Sequence, residues 1–133
     1  MKPLVSILIP AYNAEAWISD TIRSAMAQTW PRKEIIIVND GSTDQTWRVA
    51  RQFESKDVFV VDRDNQGAAS TRNHAFSLSQ GDYIQWLDAD DLLSPDKVQR
   101  QMKALDKIRS SRTLFSSGWG YFAYRTKKAE FSP

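Results

Sequence analysis

The 133-residue sequence contains no cysteine and a single histidine, His74. Without cysteine there can be no disulfide, no thiolate nucleophile and no zinc–thiolate centre. One histidine argues against a histidine-built zinc site and against a Ser-His-Asp triad, and His74, isolated on a helical stretch, is read as having no chemical role. No segment approaches the roughly 18 consecutive apolar residues of a transmembrane helix, and the apolar run in "MKPLVSILIP" is too short for a secretory signal. A cytoplasmic location, with the inner face of the membrane as its variant, is the default expectation. Two phosphate-binding signatures are also missing: no GxGxxG follows the first apolar run, and GxxxxGK[ST] occurs nowhere. Charge of one sign is scarce as well. Eighteen Lys and Arg against sixteen Asp and Glu leave a net charge of +2, too little to imply a nucleic-acid partner.

What is present is a repeating pattern of apolar runs and amphipathic stretches. Hydrophobic residues make up 41% of the chain, enough for one core, and the length predicts one domain over 1–133. Short β-branched runs predict strands at Leu4–Ile9, Glu34–Val38, Val58–Val61 and Tyr83–Leu87. Between them, apolar spacings of three and four predict a helix over Ala14–Gln28 with Asn13 as N-cap. A capping box at Ser42–Gln45 leads a helical face of Trp47, Ala50 and Phe53. A glycine-led turn at Asn65–Gly67 opens a third helix running to Ser79. Ser94 and Pro95 start a fourth that runs to Arg109. Trp17, Trp47 and Trp86 are expected in the core. Strand–helix alternation with short connections predicts an α/β fold, a mostly parallel sheet with helices on both faces. After Arg112 the pattern changes to strand-like pieces broken at Gly118 and Gly120. Trp119 between them is a core residue or, alternatively, a pocket wall.

Open α/β sheets bind ligands beyond the carboxyl ends of their strands. The residues falling there are Pro10, Ala11, Tyr12 and Asn13 after the first strand and Asn39 to Thr43 after the second. Asp62 to Gly67 follow the third, and Asp88, Asp90 and Asp91 the fourth. Three carboxylates within four positions repel one another unless a cation, a basic side chain or water offsets them. With no phosphate loop in the sequence, a carboxylate-held Mg2+ or Mn2+ is the remaining way to seat a pyrophosphate. Asp88 and Asp90 are two apart in an extended segment, so both point to the same side.

The stretches "VSILIPAYNAEAWISDTIRSAMAQTW", "EIIIVNDGSTDQT" and "NQGAASTRNHAFSLSQGDYIQWLDADD" resemble family 2 glycosyltransferases, inverting enzymes of the GT-A fold. The resemblance covers about Pro3 to Met102, with four motifs in order. It implies a Rossmann-like GT-A domain and a nucleotide-sugar donor, most often UDP-linked, with a saccharide or lipid-linked acceptor. By resemblance Tyr12 stacks on the base, the Pro10–Ala11 backbone lines it, and Arg72 helps to hold that region. Asp40 accepts from the base N3–H. Asp88 leans to the ribose and Asp90 ligates the Mn2+ or Mg2+ bridging the diphosphate, with Asp91 a further carboxylate beside them. An ionised Asp40 only accepts, so it favours uracil or thymine over cytosine. The family also implies transfer of a hexosyl-type sugar in polysaccharide or cell-envelope biosynthesis.

On this reading residues of about 1–110 form the donor-binding half and about 111–133 begin an acceptor-side half. No catalytic base is identified in the chain. It is expected beyond Pro133, with Glu130 as the alternative, and the chain is expected to be a donor-binding fragment. Its sheet edge, together with Phe122 and Phe131, is expected to favour self-association. Arg100, Lys103 and Lys107 form a basic stripe read as a solvated face, with peripheral contact to anionic lipid as the sharper alternative. Two rivals use an acidic pocket on a similar sheet. A haloacid-dehalogenase-type phosphatase places its nucleophilic Asp after the first strand. A receiver-like regulatory domain needs a phosphoacceptor after the third strand and a Lys after its last.

Overall fold

The computed structural model describes residues 1–108, together with 120–121 and 130–131. Trp119, Phe122 and the ends of the fourth predicted helix and of the chain lie outside the described residues. The chain divides into two compact units, Met1–Gln99 and Arg100–Pro133.

In the first unit, four strands alternate with helices: β1 (Val5–Ala11), α1 (Ile18–Met26), β2 (Lys33–Asp40), α2 (Thr46–Arg51), β3 (Val58–Arg63), α3 (Ala68–Leu78) and β4 (Tyr83–Trp86). A further helix, α4 (Lys97–Leu105), begins at its end. All four strands are parallel, in the order β3-β2-β1-β4. The second unit contains a two-stranded antiparallel ladder, β5 (Gly120–Tyr121) with β6 (Glu130–Phe131).

The strand order fixes where the helices go. From β1 to β3 the chain steps outward in one direction, and from β3 it returns across the sheet to β4. Right-handed crossovers therefore place α1 and α2 on one face and α3 on the other. The contacts agree: α1 touches α2, and α3 packs on β1 and β2. Strands covered on both faces should be apolar throughout. Ile7, Leu8 and Ile9 on β1 and Ile35 to Val38 on β2 are all buried. Under α3, Leu8, Ile36, Val38 and Ala75 form one cluster, flanked by Val61 and Ile84. Each such Leu, Ile or Val side chain contributes roughly 1.5–3 kcal/mol by leaving water.

The expected α/β architecture is present, and its boundaries differ for physical reasons. β1 continues through Pro10 and Ala11, which pair in register with Val38 and Asn39. Leu8 O receives the Leu87 amide, so even-numbered residues of β1 face β4. Pairing with β4 ends at Leu8, so the missing N–H of Pro10 withholds no ladder bond. α1 begins at Ile18, four residues later than the apolar spacing suggests. Asn13 does not cap it. Its φ of +46° is left-handed, a conformation asparagine tolerates, and its side chain serves another loop. Ser42 is not the cap of α2 either. Gln45 stands at the cap position without a side-chain bond, and Asp44 before it accepts from Thr46 N at 2.9 Å and Thr46 Oγ1 at 2.6 Å.

The tryptophan expectation fails in part. Trp86 is 41% exposed, because β4 is an edge strand among the described residues. Trp47 and Trp17 are only half-buried. Among the described residues the buried tryptophan is Trp30, whose Nε1 donates to Pro3 O at 3.0 Å.

Candidate functional site

A cleft of about 570 Å³ opens at the carboxyl ends of the strands. Its floor and walls come from the end of β1, the β3–α3 turn with the first turns of α3, and the segment after β4. Pro10, Ala11, Tyr12, Asp40, Arg72, Asp88 and Asp90 all line it, so seven residues singled out in the sequence meet in one space. Asp91 does not line it. It is exposed, and its amide donates to Asp88 O at 3.0 Å.

Two loops are tied together at the mouth of the cleft. Asn13 N donates to Ser42 Oγ at 3.0 Å, and Thr43 N donates to Asn13 Oδ1 at 2.8 Å. Ser42 Oγ in turn donates to Asn39 Oδ1 at 2.5 Å. Glu15 N donates to Asp44 Oδ2 at 3.2 Å, and Gln45 N donates to Glu15 Oε2 at 3.0 Å. These reciprocal bonds hold Tyr12, 53% exposed, at the rim.

Asp40 ends β2 and is 3% exposed. Its Oδ1 accepts from Gln66 N at 2.9 Å and its Oδ2 from Gly67 N at 3.0 Å, while its carbonyl accepts from Asn65 Nδ2 at 3.1 Å. Arg63 Nε lies 3.7 Å from Oδ1, and the Arg63 guanidinium also reaches Ser70 on α3. Burial alone pushes the Asp40 carboxyl up. The Gln66 amide, the Thr71 hydroxyl, the Gly67 amide and Arg63 together outweigh it and hold the group below the usual carboxylate range. Asp40 is thus an ionised clamp on the turn that starts α3, and with the Gln66, Gly67 and Thr71 donors in place one of its roughly four acceptor positions is left.

The turn is shaped by two glycines in the left-handed region, Gly41 at φ +65° and Gly67 at φ +93°. A Cβ on Gly41 would stand 2.6 Å from Asn65 N. Gly41→Ala should therefore cost about 1–3 kcal/mol in a denaturant titration, because strain and overlap add. Wild-type stability in that variant would mean the β2 end and the Asn65 turn are free to separate.

The acidic side of the cleft is wetter. Arg72 Nη2 lies 3.3 Å from Asp88 Oδ1, with both side chains about half exposed, so the pair contributes little to stability. Asp90 makes no hydrogen bond or salt bridge among the described residues. Partial desolvation and the negative charges of Asp90 and Asp88 push the neighbouring Asp91 carboxyl up. An added cation would relieve this repulsion. No cluster of three or more His, Cys, Asp or Glu that could hold a metal occurs among the described residues. Two carboxylates completed by a ligand's phosphates and water suit Mg2+ or Mn2+, which seldom have an all-protein cage.

Sequence reasoning missed Trp17, Thr71 and Ala68 as wall residues. Trp17 was taken for core because its spacing matches Ile18 and Ile22. Gly67 and Asn65, at the end of the third strand and expected mainly to make the turn, both line the cleft. No aspartate stands directly after β1, where a phosphatase nucleophile of the haloacid dehalogenase type would sit; Tyr12 and Asn13 occupy that place.

A parallel β3-β2-β1-β4 sheet with this cleft at its carboxyl edge defines a GT-A-type α/β domain. The glycosyl transferase family 2 profile matches residues 6–126, and the chain belongs to that family. It is 38% identical over 118 residues to an uncharacterized glycosyltransferase, RT0329, of Rickettsia typhi, a match covering 89% of this chain and 37% of the relative. It is 44% identical over 105 residues to TuaG of Bacillus subtilis (strain 168), a glycosyltransferase whose name assigns it provisionally to teichuronic acid biosynthesis. That match covers 77% of this chain and 42% of the relative. Among solved structures, S. aureus TarS 1-349 in complex with UDP-GlcNAc superposes with a TM-score of 0.73 at 26% identity, covering 78% of this chain and 31% of that one. The mannosyltransferase PcManGT of Pyrobaculum calidifontis, in complex with GDP-Man and Mn2+, shares the fold at a TM-score of 0.67 and 24% identity, over 84% of this chain and 34% of that one. The chain thus spans about two fifths of the length of these two curated relatives.

Among the described residues, no helix is long and apolar enough to cross a membrane.

Proposed function

We propose that the cleft binds the nucleoside diphosphate of a UDP-sugar, with a divalent cation, and that the protein transfers the sugar with inversion to a saccharide or lipid-linked acceptor. One observation carries the reading: an exposed aromatic, Tyr12, an ionised buried Asp40 and the Asp88–Asp90 pair line one cleft at the carboxyl edge of the sheet. The UDP and UDP-GlcNAc complexes of TarS support the choice of uracil.

In this reading Tyr12 offers its face to the base at the rim. Asp40 accepts from the uracil N3–H through the acceptor position not used by the Gln66 and Gly67 amides and the Thr71 hydroxyl. Asp88, steadied by Arg72, accepts from the ribose hydroxyls. Asp90, with no hydrogen bond or ion pair among the described residues, is the residue that would hold Mn2+ or Mg2+. When bound, the cation offsets the charge that builds on the leaving diphosphate. The N-terminus of α3, at Gly67 and Ala68, adds a positive dipole end beside the same charge.

Inversion requires attack by an acceptor hydroxyl on C1 of the sugar as the bond from C1 to the phosphate oxygen breaks. The hydroxyl proton passes to a general base and the nucleoside diphosphate leaves. Asp40 is committed to the turn, Asp88 to Arg72 and Asp90 to the cation, so none of the three is the base.

A thermal-shift screen of UDP-, GDP-, dTDP- and CMP-sugars, each with Mn2+ and with EDTA, tests this reading. Stabilisation by UDP-sugars above the others, larger with Mn2+, is expected. Equal response to all four, or none, contradicts it.

A further inference from the structure

Helix α1 carries a polar edge that it buries. Thr21 is fully buried and Gln28, just past the helix, is 3% exposed, with the half-buried Ser24 between them. Spacings of three and four put all three on one side of the helix. A core would favour apolar residues there, and buried polar groups need partners. Their partners outside α1 lie on one segment, residues 89–98. Thr21 Oγ1 donates to Ala89 O at 2.9 Å, with Trp17 O as a longer alternative at 3.2 Å. Leu93 N donates to Ser24 Oγ at 3.2 Å, and that hydroxyl donates to Thr21 O at 2.8 Å. Gln28 Nε2 donates to Ser94 O at 2.7 Å, and Gln28 Oε1 accepts from Val98 N at 3.1 Å. Thr29 N extends the series to Pro95 O at 2.9 Å.

Ala89 is the residue between Asp88 and Asp90. Pairing of β4 with β1 stops at Trp86, and the Leu87 amide makes the last bond to β1. From there to α4 the backbone has no ladder to hold it. The carboxylates repel one another across this stretch, so an unanchored turn would splay.

We propose that Thr21, with Ser24 and Gln28, is a positioning residue that sets the direction of Asp88 and Asp90 by anchoring the backbone between and beyond them. The inference rests on the proposed cation and donor roles of those two carboxylates. A fixed Ala89 carbonyl fixes the peptide planes on either side of it, and with them the Cα–Cβ directions of both aspartates. Mg2+ and Mn2+ tolerate little error in ligand direction, so an anchor outside the ligand shell affects affinity.

The test uses the full chain and two readouts. Thr21→Val is near-isosteric and removes only the hydroxyl, whereas Thr21→Ser keeps it. Amide hydrogen exchange over residues 88–98 is followed without ligand, and UDP is titrated calorimetrically with Mn2+ and with EDTA. Thr21→Val should speed exchange at residues 89–91 and weaken Mn2+-supported UDP binding about tenfold, the scale of one lost buried hydrogen bond. UDP affinity in EDTA should fall by a smaller factor, through Asp88 and the ribose alone, and Thr21→Ser should restore both readouts. Unchanged exchange and affinity in folded Thr21→Val overturn the proposal, as does equal impairment of both variants, which would mark a packing effect. If Thr21→Val does not fold, Ser24→Ala takes its place, with faster exchange at Leu93 and weaker Mn2+-supported binding expected, and no change in either contradicting it. A wild-type protein that gains no UDP affinity from Mn2+ refutes the cation reading, and the exchange rates then decide the anchoring alone.

Discussion

Asp90→Ala should abolish the gain in UDP affinity that Mn2+ gives the wild-type protein, while leaving binding in EDTA unchanged. The expectation follows from the Asp90 carboxylate having no hydrogen bond or ion pair among the described residues. Asp88 is paired with Arg72 at 3.3 Å, and Asp91 does not line the cleft. Asp90 is then the cleft carboxylate left to meet a cation. Because it supports no protein hydrogen bond among the described residues, its removal should change stability by no more than about 0.5 kcal/mol. Reduced charge repulsion around Asp91 would even favour the fold slightly. Calorimetry in paired Mn2+ and EDTA titrations reads the effect. A variant that keeps the full Mn2+ gain would move the cation to Asp88 or away from this cleft.

Asp40→Asn is expected to act on both fold and recognition. The carboxylate accepts from two backbone amides, Gln66 and Gly67, from its place at the end of β2. An asparagine oxygen can serve one of them, and its amide group then faces the other donor. Hydrogen bonds to a buried charge are worth about 1.5–3 kcal/mol each, so a loss of about 2–3 kcal/mol in chemical denaturation is expected. The pH dependence has a definite sign. Asp40 sits below its ordinary value of 3.8 in the folded protein. Its stabilisation is therefore complete above that value and is lost as the pH falls through the lower folded one. Asp44, lowered as well despite burial, by bonds from Thr46 and the Glu15 amide, adds to the same acid limb. The asparagine variant should show a shallower loss of stability between about pH 5 and 2 than the wild type. Recognition changes too: with a donor introduced against N3–H, the preference for UDP over CDP should narrow. Wild-type discrimination in a folded variant would place base recognition on other residues.

The sheet was legible in the sequence because parallel strands covered on both faces need unbroken apolar runs. "EIIIV" and "LVSILI" state this directly. Helix starts were less legible. The apolar spacing at Trp17, Ile18 and Ile22 extends backward into Ala14, but residues 14–17 form turns whose polar groups bond to the loop at Asp44 and Thr46. A periodicity cannot register a side chain from 30 positions away. The same limit hid the second role of Asp40. Its place after β2 marked it for the cleft, while its hold on Gln66 and Gly67 depends on β3 lying alongside. Thr21 and Gln28 looked like ordinary polar positions on an amphipathic helix, since their partners are about 70 residues further on.

The central claim is that a uridine diphosphate occupies this cleft across the ends of β1, β2 and β4. Its most direct measurement is an amide and side-chain chemical-shift map of the isotope-labelled protein, titrated with UDP in the presence of Mg2+. Saturable shifts centred on Tyr12, Asp40, Gly67, Thr71 and Asp88 to Asp90, with other surfaces unmoved, are predicted. Shifts centred elsewhere, or none at millimolar UDP, would contradict it.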